Sequence, residues 1–394
     1  MKKFCILICD EYFQDNAGTH RQRRWANNFL THFDRLYIFH RTSQFYTSIS
    51  EVSKETIFKP VSHTKATTST SLFHVIFRFF KHYFLLEFFL PSFLFFYIRL
   101  VKFILTNRGI YYIHISSPPF PFVFFTTMLI KKIFFLKKIF IHVDMRDPWA
   151  FHKSLGGIPV VKKYLENISL QNAELVTTVS EYLRNEFNIS YNINSETVYN
   201  VATHFDNIDF NIEDCVLDNK SIMILYTGTI PYNFYDLLLI ADMIVSSKNI
   251  NEINFEWHFV GECNLLLNEL ETRNIDLGNI FFLPRENHKD LLMLFKKADI
   301  LLFFGHKFPG YLTTKLFEYF SIGKPILPLL VKENSDAYTL IKTICGSCPE
   351  ITNESHLRYY LSDLNKLPKK LYSNKLDEYK SKYNDVLISF LSNK

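Results

Sequence analysis

The chain has 394 residues, of which 21% are charged and 17% aromatic, with 41 Phe, 22 Tyr and 3 Trp. At about 100–200 residues per domain this makes two or three domains, long enough to bury a core without disulfides, and the composition excludes disorder, collagen-like repeats and coiled coil. Charge is divided unevenly: residues 1–200 carry 24 Lys and Arg against 14 Asp and Glu, and residues 201–394 carry 20 against 25, so an anionic partner is expected on the first half.

The start is basic and then apolar, but Asp10-Glu11 ends the apolar run. It is too short for the core of a signal peptide and reads as a buried strand, Phe4–Cys9. A cytoplasmic location is expected. A polar loop, Gln14–Thr19, holds Gly18; helix His20–Thr31 and strand Leu36–His40 follow. Residues 72–105 are crowded with Phe, yet Arg78, Lys81, Glu87, Arg99 and Lys102 interrupt them. The longest piece without a charge, Phe88–Ile98, has 11 residues with Pro91 inside, where a spanning helix needs ~20. Strand 110–115 leads through Ser116-Ser117-Pro118-Pro119 into a helix over 121–136, whose Phe and Leu interleave with basic residues that run on to Lys137 and Lys138. That mixture marks either a helix lying in a membrane interface or a core helix with a solvated basic face. Over 72–105 Phe occurs on all sides, more than one helical stripe can bury, so peripheral attachment to the inner face of the cytoplasmic membrane is expected. Strand 139–143, helix 158–172, strand Glu174–Val179 and helix Ser180–Phe187 complete this half.

An acidic stretch, 203–219, reads as a linker between domains over 1–202 and 220–375. The second domain repeats the pattern: strands Ile222–Tyr226, Phe255–Val260, Ile280–Leu283, Ile300–Phe304 and Pro325–Leu329 alternate with helices 234–247, 288–297 and 313–322. A final amphipathic helix, 376–394, is expected to cross back over both domains. Alternating strands and helices imply α/β architecture with parallel, doubly wound sheets, and ligands then sit beyond the carboxyl ends of the strands. Neither GxGxxG nor GxxxxGK[ST] occurs, which argues against dehydrogenase and P-loop chemistry. Cys345 and Cys348 form a single CxxC without the second ligand pair of a structural zinc site, and no metal is expected.

The segment from Tyr311 to Leu327 carries the strongest chemical signal. Thr313 or Thr314 can cap a helix whose amides then face a diphosphate. Lys315 adds a positive charge at the same end, and Glu318 lies one turn on, where a carboxylate can accept both hydroxyls of a ribose. The plainer reading is a solvated Lys–Glu helix pair. The segment resembles the KxxEYxxxGKP stretch of GT-B glycosyltransferases of the family 4 type. In chain order, Ser116–Pro119, Asp144-Met-Arg-Asp-Pro-Trp149, Val176-Thr-Thr-Val-Ser-Glu181, Tyr226-Thr-Gly-Thr229, and Phe281–Leu283 with Lys296–Asp299 resemble further segments of that family.

The resemblance implies two Rossmann-like domains facing a central cleft. It implies transfer of a sugar from a nucleotide-diphosphate sugar to a hydroxyl, with retention of configuration and without metal or cofactor. Donor contacts would come from Gly18, Gly228, Thr229, Arg285, Thr313, Thr314, Lys315 and Glu318. Catalytic contacts would come from Asp144, Arg146, Asp147 and Lys315. His142 and His152 flank the Asp144–Trp149 segment, either as a base or as ordinary strand and surface residues. Gly310 stands where many relatives carry Glu, and TIPYNFYD follows Gly228 without the Arg and Lys those relatives carry. The expected partners are a nucleotide sugar, a polyprenol-linked glycan acceptor of bacterial O-antigen or capsule assembly, and an anionic membrane surface. Nucleic acid is not expected. A GT-B nucleotide-sugar epimerase and a non-catalytic scaffold of the same fold are the alternatives.

Overall fold

A computed structural model of the chain describes residues 2–9, 17–41, 47–52, 91–150, 158–201, 221–230, 236–250, 252–368 and 373–392. The aromatic segment 72–90, His152, loop residues 14–16 and the linker 203–219 lie outside the described residues. The chain divides into two compact units, Met1–Tyr199 with Ser381–Lys394, and Asn200–Lys380.

The first unit is built on seven strands: β1 (Lys3–Cys9), β2 (Leu36–Arg41), β3 (Thr47–Val52), β4 (Ile110–Ser117), β5 (Ile139–Met145), β6 (Leu175–Thr178) and β7 (Ser195–Thr197). Their order is β3-β2-β1-β4-β5-β6-β7. All pairs are parallel except β2 with β3. After Lys3 every residue of β1 is buried, as in a strand covered by helices on both faces. The polar sequence of β3, TSISEV, carries no hydrophobic alternation, which is why the sequence does not announce this edge strand.

Two expectations are corrected here. Gly18 lies in the first turn of helix α1 (Ala17–His32) rather than in a loop; a glycine costs little at a helix end, where the chain is least committed. The expected regular helix over 121–136 is broken into an α-helical Phe120–Phe124, a π-helical Phe125–Ile130 and an α-helical Lys131–Ile133. Within it Thr126 and Thr127 are buried. The Thr127 hydroxyl donates back to the Val123 carbonyl at 2.8 Å, a bond that loosens the regular ladder. Its aromatic residues mostly face inward: Phe122 lies 4.6 Å from Phe96 of the neighbouring helix Pro91–Thr106, ring centre to ring centre. Among the described residues, many of the Phe side chains of this half are therefore core. Phe4 stacks on Tyr111 at 5.3 Å within it.

The second unit holds β8 (Ser221–Thr227), β9 (Asn249–Ile250), β10 (Ile253–Val260), β11 (Ile280–Leu283), β12 (Ile300–Phe304) and β13 (Ile326–Leu329). The order β11-β10-β8-β12-β13 is parallel throughout, with β9 antiparallel on β10. In each unit the winding direction reverses once, between β1 and β4 and between β8 and β12. Such switch points open a crevice at the carboxyl ends of the strands. Helix α2 (Thr314–Ile322) ends at Gly323, whose φ of 81° is the left-handed conformation that favours glycine.

Candidate functional site

The second unit's switch point brings several predicted residues together. Strand β8 ends at Thr227, and the Gly228 amide donates to the Val260 carbonyl at 2.7 Å. From α2, the Lys315 Nζ donates to the Tyr226 hydroxyl at 3.2 Å and lies 4.8 Å from that ring's centre. Gly228 has a φ of 122°, and a Cβ built there would come within 2.1 Å of the Lys315 Nζ. The missing side chain of Gly228 is thus what makes room for the cation. Glu318 stands one turn along the same helix.

Burial sets the charge state of this pair. It pulls Lys315 down to about 8, against the opposing pull of Glu318. It pushes Glu318 up to about 6, against the pull of Lys315. Both groups are ionised near neutral pH, each close to the end of its range. Cys263, whose Sγ lies 3.4 Å from the Gly228 carbonyl, is pushed up to about 12 by burial and stays a thiol.

Thr313 occupies the N-cap position of α2 but its side chain makes no capping bond, which corrects the expectation of a threonine cap. Its Oγ1 is buried without a hydrogen-bond partner. The helix therefore presents its first amides, those around Thr314, without a side-chain cap, and keeps the partial positive charge of its N-terminus. Thr229 is exposed, with its hydroxyl 3.4 Å from a Glu262 carboxylate oxygen. Arg285 is exposed, two residues past the end of β11.

The first unit treats its predicted catalytic residues differently. Asp144, on β5, is fully buried. Arg21 of α1 grips it with Nη2–Oδ1 at 2.6 Å and Nε–Oδ2 at 2.7 Å, and the Thr177 hydroxyl donates to Oδ1 at 2.7 Å. Arg21 also donates to the Val198 carbonyl at 2.8 Å and the Tyr383 hydroxyl at 2.7 Å. Burial works against the Asp144 carboxylate, but the charge and hydrogen bonds of Arg21 outweigh it and hold the group well below the usual range. Its oxygens are engaged inside the core, so Asp144 ties α1, β5, β6 and the C-terminal helix together instead of meeting a substrate.

His142 is likewise a buried strand residue: its Nδ1 lies 2.9 Å from the Nδ1 of His114 and its Nε2 2.9 Å from the Thr177 hydroxyl. The Thr177 proton already goes to Asp144, so His142 donates from Nε2 and accepts at Nδ1, and His114 donates from its Nδ1. Burial lowers His114 to about 4 and holds His142 well below the ordinary histidine value.

Arg146 and Asp147, half-buried, occupy the loop after β5. Arg146 donates to the carbonyls of Ser117 and Pro118 at 3.2 and 3.1 Å, which joins two of the sequence segments singled out above. Glu166, from helix Pro159–Leu170, pins the rest of this loop. It accepts the amides of Trp149 and Ala150 at 2.8 and 3.1 Å and the Tyr191 hydroxyl at 2.6 Å. This role was not legible in the sequence, because a helical Glu among Lys residues reads as a solvated face. Among the described residues, no group of three or more His, Cys, Asp or Glu stands close enough to hold a metal ion. Cys345 and Cys348 are both buried.

No family model and no curated protein matches this sequence. Solved structures do match it along nearly its whole length. The apo form of the lipopolysaccharide outer core galactosyltransferase WaaB is similar at a TM-score of 0.59 with 11% identity, over 99% of both chains. Sucrose-phosphate synthase from Thermosynechococcus elongatus is similar at 0.58 with 10% identity, over 98% of this chain and 95% of that one. A structure described as a UDP-N-acetylglucosamine 2-epimerase, from Listeria monocytogenes, is similar at 0.52 with 10% identity, over 99% and 96%. At such identities the likeness concerns the fold alone: the chain is an α/β protein with the GT-B fold of these glycosyltransferases.

Proposed function

We propose that the protein is a glycosyltransferase that moves a sugar from a nucleotide-diphosphate sugar to a hydroxyl of a lipid-held glycan. The observation that carries this reading is the juxtaposition at the end of β8. There the Lys315 ammonium, the uncapped N-terminus of α2 and the Glu318 carboxylate converge at a switch point. Cleaving the donor's glycosidic bond places negative charge on the departing diphosphate. A fixed cation and aligned helix amides stabilise that charge as it forms, and Glu318 takes the ribose hydroxyls. Exposed Thr229 and Arg285 flank the donor. In the first unit the loop bearing Arg146 and Asp147 orients the acceptor. In this reading the sugar is transferred with retention and without metal, and the protein works at the inner face of a membrane. The product in this reading is a surface polysaccharide, O-antigen or capsule; the likeness to a lipopolysaccharide outer core galactosyltransferase supports a lipid-held glycan as the acceptor.

The likeness to an epimerase structure favours a second reading, in which the sugar is altered while it stays on the nucleotide. One assay separates the two. Purified protein and membrane extract are incubated with a panel of labelled nucleotide sugars, for the wild type and Glu318→Ala. Transfer of label to lipid that the variant loses supports the transferase. Label rearranged within the nucleotide sugar supports the epimerase. Neither event with any donor leaves a scaffold, consistent with Gly310 and with the missing bases after Gly228.

A further inference from the structure

One side of the first unit carries a surface that the donor chemistry does not use. Residues 88–143 contain seven Lys and Arg and no Asp or Glu. Helix Pro91–Thr106 and the helical stretch from Phe120 pack together through their inward aromatics, with Tyr97 and Phe125 ring centres 4.5 Å apart. Their other sides leave apolar residues in solvent. Ile98 and Leu105 are exposed seven residues apart, and Leu129 and Ile133 four apart, so each pair runs along one helix face.

Beyond Ile133 the chain makes a tight turn. Phe134 is buried and its carbonyl accepts the Lys137 amide at 2.8 Å. The Lys137 ammonium donates to the carbonyls of Ile104 and Asn107, fixing the turn to the end of the neighbouring helix. This leaves Phe135 and Leu136 at the tip, 76% and 86% exposed. Exposed Lys132 and Lys138 flank them. Lys138 and Lys2 sit on either side of β4, their carbonyls accepting the amides of Tyr111 and Ile110, both at 2.9 Å.

We propose that this surface docks on an anionic lipid bilayer, with Phe135 and Leu136 inserted past the headgroups and Lys132 and Lys138 among the phosphates. Projecting apolar tips ringed by cations match an interface in which chains lie below and negative charge lies above. A second copy of the chain is disfavoured as the occupant, because two faces this rich in cations would repel each other even with Lys131 paired to Glu174. Among the described residues, no helix is long and apolar enough to cross a membrane, so the contact is peripheral. The helical stretch from Phe120 buries Phe120 and Phe122, so in this docking it is the turn after it that supplies the insertion.

The test is flotation of the full chain with phosphatidylcholine vesicles, with and without phosphatidylglycerol, at low and high salt. The wild type is expected to float with the anionic vesicles at low salt and to be released by salt. Phe135→Ser with Leu136→Ser is expected to lower partitioning about tenfold or more. Lys132→Gln and Lys138→Gln are expected to lower it about fivefold each on anionic vesicles only. All four positions are exposed, so circular dichroism and nucleotide-sugar binding should match the wild type; this separates loss of docking from failure of the transferase reading. Wild type that stays unbound at low salt overturns the proposal. So does binding that the tip variant leaves intact, or self-association in the ultracentrifuge that the tip variant abolishes while vesicles are ignored.

Discussion

Lys315 and Glu318 hold their working charges over a narrow span of pH. Lys315, drawn down to about 8 by burial, is neutral above that value, where under the proposed function it should lose its hold on the diphosphate. Glu318, raised to about 6 by burial, is protonated below that value, where under the proposed function it should accept the ribose hydroxyls less well. The profile of kcat/KM, which reports the unliganded protein, is expected to be bell-shaped with limbs near those two values. Lys315→Ala is expected to lower kcat roughly 100- to 1,000-fold, as removing one charge-stabilising group does elsewhere. Its profile should also lose the alkaline limb, which a merely structural lysine would leave in place. Both residues were legible in the sequence, because they lie three positions apart on one helix. Tyr226, which holds Lys315 from 89 positions away, was not legible as its partner.

Asp144 is the residue whose part the structure changes most. A carboxylate in a loop-like motif reads as a group offered to a substrate, and its actual partner, Arg21, lies 123 positions earlier. Asp144→Asn leaves Arg21 buried and charged without its counter-ion. The expected loss is about 3–5 kcal/mol of folding stability, measured by urea unfolding. Nucleotide-sugar binding by the folded fraction should be unchanged.

At the scale of elements, the end of β8 and the start of α2 act as one device. Gly228→Ala puts a methyl group where the Lys315 ammonium sits. Donor binding should fall nearly as far as in Lys315→Ala, measured by titration calorimetry. The folding penalty at this positive-φ position should be about 1–3 kcal/mol. The C-terminal helix, Ser373–Ser392, carries a second prediction. Its Tyr383, Val386, Leu387 and Phe390 are buried in one cluster with Trp25 and Phe29 of α1. Truncation after Lys380 removes all four, each worth about 1.5–3 kcal/mol of burial. The first unit's melting transition should then drop or vanish, while that of the second unit persists in calorimetry. The amphipathic pattern of this helix was readable, but which core it completes was not.

For the whole molecule, the buried His114–His142 pair makes the first unit sensitive to acid. Both rings are neutral in the folded chain, with His114 lowered to about 4 chiefly by burial. In the unfolded chain a histidine binds its proton near 6.5. Stability is therefore complete above about 6.5 and falls as pH drops from there toward 4, where the unfolded state holds protons that the folded state refuses. Urea midpoints of the first unit should decline between pH 7 and pH 5, and His114→Phe should flatten that decline.

Local information sufficed for much of this protein. Strand and helix periods, the restart of the pattern after 220, and the motifs at the strand ends together indicated two doubly wound α/β units, because each of these signals is written within a few turns of chain. The clustering of Phe with Lys likewise marked the basic, aromatic half. Tertiary structure decided the rest, because burial and charge pairing depend on residues far apart in the chain. It took Asp144 and His142 out of reach of a substrate and seated Lys315 against a glycine of another element. Among the described residues it turned many of the aromatic side chains inward and set exposed Phe135 and Leu136 at the tip of a cationic turn.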